Sequence, residues 1–207
     1  MSFLKKQYHE AFTTLRGPVW PFLRNAVIAF VVIYVIFAAA SLFSPAIHAL
    51  LIQQIEAVME NADIVKDDGS ISALRILINN ARAAGFSILY GIFPFLYLPA
   101  LAIGINAAVL GGLTASYAAS PHTLLLLAAG ILPHGIFEIP ALWIAFGCGL
   151  YLCHDLTSRI RNRPRPTSFS VLFVSLLRVY LTIIFPLLIV ASLIEAYITP
   201  WCMAFFA

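Results

Sequence analysis

The stretch AAGFSILYGIFPFLYLPALAIGINAAVLGGLTASYAASPHTLLLLAAGILPHGIF, residues 83–137, contains no Asp, Glu, Lys or Arg. As a single helix it would be roughly 80 Å long at 1.5 Å per residue. The hydrocarbon core of a bilayer is about 30 Å thick. An apolar run of this length must turn back inside a membrane, and residues 84–154 leave room for about three crossings. Two more apolar runs flank it. Residues 25–43 are uncharged and long enough for one crossing, with Pro45 just past their end, and residues 169–200 form the last run.

Composition agrees. Of 207 residues, 62% are hydrophobic and 10% charged, and the mean hydropathy is +0.96. Soluble domains average about 45–50% apolar and about 25% charged residues, so soluble, disordered and collagen-like chains are excluded. The 12 basic residues are dispersed and form no nucleic-acid module, so no nucleic-acid partner is expected. Cys148, Cys153 and Cys202 show no CxxC or Cys/His spacing, which implies neither a zinc site nor a disulfide framework. The first apolar run starts too late and runs too long for a cleaved leader, so it is expected to stay as an anchor.

The charges predict topology through the positive-inside rule. Lys5, Lys6, Arg16 and Arg24 precede the first run. Glu56, Glu60, Asp63, Asp67 and Asp68 outnumber Lys66 and Arg75 after it, and Arg159, Arg161, Arg163 and Arg165 form a second basic cluster. The expected protein is an all-α, polytopic bundle in the cytoplasmic membrane with about five spans: 24–44, 84–101, 103–119, 122–153 and 169–198. The amino terminus is then cytoplasmic, residues 45–83 form an extracytoplasmic connection, 155–168 is cytoplasmic and the carboxyl terminus is outside. Pro94 and Pro99 mark a kink, a hairpin or a re-entrant segment within the two middle spans. Residues 1–23 carry Leu4, Tyr8, Phe12, Leu15 and Val19 at helical spacing, which predicts a cytoplasmic interfacial amphipathic helix ahead of a single transmembrane domain, 24–202. Residues 71–82 follow the turn Asp67-Asp68-Gly69-Ser70, capped by Ser70 or Ser72. They read as a second interfacial helix or as an extension of the next span.

The polar residues of the spans are the candidates for function. Glu138 falls near the middle of its predicted span, where a carboxylate costs about 2.5–3.5 kcal/mol and calls for a polar partner. Pro133 and Pro140 bracket it, which predicts a discontinuous helix with free amides near residues 134–137. His134 lies four residues before Glu138, on one helical face. Metal binding, proton relay or substrate binding, and a structural hydrogen bond all suit that pair. HExxH is absent and no third ligand is evident from spacing, so no metal and no cofactor are assigned. Asn106 is a candidate partner for Glu138, and Asn79, Asn80 or Arg82 for Glu195. Arg178 is expected to snorkel. Small residues recur every four positions at Ala100, Gly104, Ala108 and Gly112, and again at Ala141, Ala145 and Gly149. They predict close helix contacts within a compact bundle or between the copies of a homodimer.

The run ILPHGIFEIPA, residues 131–141, resembles the signature of the stage II sporulation protein M family, with Ile131 at the first Leu position. Asn79-Asn80 before a Gly-rich span, Asn106 followed by Gly111-Gly112, Gly147 and Gly149, and IEAYITP at 194–200 fit the same pattern. The resemblance covers roughly residues 20–202; Ala107 departs from the Gly that relatives often carry after the Asn. It implies an integral membrane protein that, in spore formers, works with peptidoglycan-degrading partners during forespore engulfment. Relatives also occur in bacteria and archaea that do not sporulate. The expected role is a non-enzymatic membrane scaffold or complex subunit that contacts the lipid bilayer and other membrane or cell-envelope proteins. A transporter-like or permease subunit with its site at Glu138 is the alternative, and a metal-dependent intramembrane hydrolase the second alternative.

Overall fold

A computed structural model describes residues 2–62, 72–118, 120–165 and 167–206. Among them every regular element is helical and there is no strand. The helices are α1 (Phe3–Thr14), α2 (Trp20–Phe43), α3 (Pro45–Ala62), α4 (Ala73–Leu89), α5 (Leu98–Ser116), α6 (Pro121–Ile160), α7 (Phe169–Val179), α8 (Phe185–Tyr197) and α9 (Thr199–Ala204). The turn expected at 67–70, and Ser70 with it, lies outside the described residues; Ser72 caps α4 by accepting the Arg75 amide.

Among the described residues four helical stretches are long and apolar enough to cross a membrane: Phe3–Phe43, Leu98–Ser116, Pro121–Ile160 and Phe169–Tyr197. The first joins α1 to α2 through a π-helical turn, kinked at Gly17 ahead of Pro18. The last joins α7 to α8 through a second π-helical turn, Tyr180–Ile184, ahead of Pro186. Helix α4 falls short by itself, with 17 residues that include Arg75 and Arg82. It still runs beside α6 over the same height. Asn80 meets Glu138, Gly91 abuts Gly149, and the Phe95 amide donates to Thr157 Oγ1 at 2.9 Å. Helices α4 and α6 therefore point the same way. Helices α2 and α5 do too, because Gly104 faces Ile33 while Gly111 meets the backbone of Tyr34 to Ala38. The largest buried cluster joins α1, α4, α6, α7 and α8, and a second one joins α2, α5 and α6 around Phe146 and Ile103.

The break expected between Pro133 and Pro140 is absent: both prolines lie inside the unbroken α6. Each removes one backbone hydrogen bond. The helix survives because α2, α4, α5, α8 and α9 all pack along it, and neighbouring helices tolerate prolines in membrane spans. The chain breaks instead between α4 and α5, so the span expected over 84–101 is not one continuous helix. A short 3-10 turn, Tyr90–Ile92, leads into a reversal in which Phe95 and Tyr97 take positive φ of 67° and 45°. Pro99 then sits in the first turn of α5, where proline is favoured. The reversal is tied to the end of α6. Besides the Phe95 amide bond to Thr157, the Cys153 thiol donates to Phe93 O at 3.3 Å and the Arg161 guanidinium lies 5.3 Å from the Phe95 ring centre.

Helix α1 docks on α7. Its Glu10 and Gln7 receive Arg178 at 2.9 and 2.7 Å, so Arg178 is paired. Leu4, Tyr8 and Phe12 stay exposed while Leu15 and Val19 are buried.

Candidate functional site: a polar cluster between two helices

Helix α6 supplies His134 and Glu138 one turn apart on the same face, with Nε2 of His134 4.0 Å from Oε2 of Glu138. Helix α8 runs antiparallel to α6 here. It brings Glu195 so close that one ligand atom from each of His134, Glu138 and Glu195 lies within 4.8 Å of the others. Thr199, buried at the start of α9, lies with its hydroxyl 3.2 Å from Nδ1 of His134. The Asn80 side chain of α4 lies within reach of the Glu138 carboxylate. Four helices, α4, α6, α8 and α9, thus converge on two carboxylates and one imidazole. The side chains of His134 and Glu138 keep only 14% and 21% of their surface exposed.

A cavity of about 230 Å³ opens on one side of the pair, with Asn106, Phe30, Trp143 and Leu113 on its walls. Asn106 shares this space, and its amide donates to Ala102 O at 2.8 Å. Trp143 Nε1 is buried with no hydrogen-bond partner among the described residues. Asn79 and Arg82 point away from the cluster and are exposed on the outer side of α4. Arg82 borders an apolar groove of about 460 Å³ between α4 and α7, walled by Ile78, Phe86, Phe173, Leu177 and Tyr180.

The small residues divide between the core and looser surroundings. Ala141 and Ala145 are fully buried and Ala108 nearly so. Gly112 abuts Leu51 of α3, and Gly149 faces Ser87 O and Pro99. A Cβ on Gly104 would meet only Ile33, at 4.0 Å, and Ala100 is exposed.

Two polar groupings escape sequence reasoning. One is the approach of Glu195 to Glu138, which depends on the register between α6 and α8. The other is Asp155, 1% exposed, held by Arg159 and Arg165. The four-residue spacing of Asp155 and Arg159 was a readable signal for half of that group. Breaking such a buried pair costs about 3–5 kcal/mol, so the basic cluster after α6 also anchors the connection to α7.

Comparison with known proteins adds three findings. The family model described as Stage II sporulation protein M matches residues 26–200. An uncharacterized protein of Methanocaldococcus jannaschii is 34% identical over 130 residues, covering 60% of this chain and 69% of that one. No solved structure matches.

Proposed function

The chain belongs to the stage II sporulation protein M family, and from that premise we propose that it is a non-enzymatic subunit of a complex in the cytoplasmic membrane. In this reading it is a multi-pass protein with its amino terminus in the cytoplasm and its carboxyl terminus outside. The observation that carries the proposal is Arg82. It follows Asn80 by two residues, so it sits close to the height of Glu138, far from either end of α6. Yet it faces outward beside the apolar α4–α7 groove. A cation turned toward hydrocarbon costs about 2.5–3.5 kcal/mol. A partner transmembrane helix with a carboxylate at that depth removes this cost and fills the groove. A two-fold pair of identical chains uses the same patch on both copies, which sets the two Arg82 side chains on one interface. The favoured occupant is therefore a different, acidic chain. In a spore former, peptidoglycan-remodelling envelope proteins are the partners proposed.

The test is the size of the assembly extracted from native membranes in a mild detergent. The parent should migrate well above its own mass. Arg82→Glu should fall to the single-chain position while melting like the parent, because the side chain is exposed. A parent that migrates alone sinks the proposal, and so does co-purification of two differently tagged copies that Arg82→Glu abolishes. A transporter-like role is the second reading, favoured by the cavity that reaches His134 and Glu138.

A further inference from the structure

We propose that His134, Glu138 and Glu195 bind one divalent transition-metal cation of the zinc class. The three donors come from two antiparallel helices and have ligand atoms within 4.8 Å of one another. Bonds of about 2.0–2.2 Å to a tetrahedral ion place neighbouring ligand atoms on the order of 3.4 Å apart. The site as proposed needs the three ligand atoms to draw together by on the order of 1 Å on metal binding.

Two further observations point to a metal rather than a bare hydrogen-bond cluster. The first is the outer contact on the imidazole. Thr199 engages Nδ1, which orients the ring and leaves Nε2 facing Glu138. A ligating histidine has its other nitrogen held in this way in most metal sites. The second is charge. Neither α8 nor the part of α6 from Pro121 to Leu152 carries a lysine or arginine, and Arg82 faces outward. Two carboxylates with a divalent cation sum to zero, which relieves the cost of placing them at this depth. The donor set selects the ion: imidazole with carboxylates suits zinc-class metals, whereas magnesium and calcium favour oxygen alone. A cavity of about 230 Å³ borders two of the three ligands, His134 and Glu138.

The experiment uses full-length, tag-free protein in detergent, stripped with a chelator and then loaded with zinc or cobalt alone. One ion should be retained per chain after gel filtration, and the cobalt form should show histidine nitrogen coupling in pulsed EPR. Glu195→Gln should lose stoichiometric retention. Thr199→Val keeps all three ligands and should weaken binding roughly 10–100-fold with a near-parental melt. Failure of the parent to retain zinc overturns the proposal. So does a Glu195→Gln variant that binds like the parent, or equal retention of magnesium. Should Glu195→Gln fail to fold, the parental cobalt spectrum decides, and a spectrum without nitrogen coupling overturns the site.

Discussion

Two stretches of this chain carry a pair of prolines among apolar residues, and they behave in opposite ways. Pro94 lies in a full reversal between α4 and α5 and Pro99 in the first turn of the α5 that follows it, whereas Pro133 and Pro140 lie inside a helix of 40 residues. Local rules read both pairs as breaks. The difference lies in what surrounds them. Prolines seven apart fall on nearly the same helical face, so the lost hydrogen bonds are confined to one side of α6 while five other helices brace it. Around Pro94 the chain finds substitutes for its helical bonds in side chains of α6, Thr157 and Cys153. A proline pair thus breaks a membrane helix where another element supplies polar groups to the freed backbone, and is tolerated where close packing holds the helix straight.

The sharpest test of that contrast is at the reversal. A methyl group on Gly91 would run into the carbonyl of Gly149 and the Leu152 side chain. Gly91→Ala should therefore destabilise the protein by about 3 kcal/mol, the upper range for overpacking. Thermal unfolding in detergent reads this directly, and a parental melt would mean that α4 and α6 do not cross so closely.

The second test reverses the sign. With α6 unbroken, Pro140→Ala restores the bond from residue 140 to the carbonyl of Ile136. It should stabilise by about 1–2 kcal/mol, part of the roughly 3 kcal/mol that an interior proline costs. A loss of stability here would instead favour a working break at 133–140.

The smallest effect concerns Tyr97, which caps α5 in the left-handed region at φ 45°. That conformation costs an L-residue about 1–2 kcal/mol, and glycine is free of the cost but loses more chain entropy. Tyr97→Gly should be stabilising by about 0.5 kcal/mol, measured by denaturant titration. A destabilised variant would show that the tyrosine ring itself holds the turn.

Charge and hydropathy patterns were enough to read the helical membrane class, since a charge-free run such as 83–137 admits few other folds. The pairing of His134 with Glu138 was equally readable, because a four-residue spacing is a property of one helix. The rest of the cluster was not. Glu195 meets Glu138 only through the relative sliding of α6 and α8, and Asn80 enters from a third helix. Asn106 illustrates the converse. Its residue type suggests a partner for Glu138, but the hydrogen bond it makes in this structure runs to its own-helix carbonyl at Ala102. Periodicity reports which face of a helix is apolar, whereas contacts across helices depend on register. The close crossings at Gly91, Gly111 and Gly147 belong to the same class, set by backbone proximity between helices rather than by a small-residue repeat along one.

The reversal at 90–97 also bears on how the protein is made. Its two side-chain ties to α6 join residues 62 and 60 positions apart, Phe95 with Thr157 and Phe93 with Cys153. At about 5–20 residues per second, a ribosome needs some 3–12 s to travel from the turn to the residues that complete it. During that interval α4 and α5 exist without the groups that satisfy their junction. The end of the longest helix thus supplies, well after the turn itself is made, the Thr157 hydroxyl and the Cys153 thiol that tie it down.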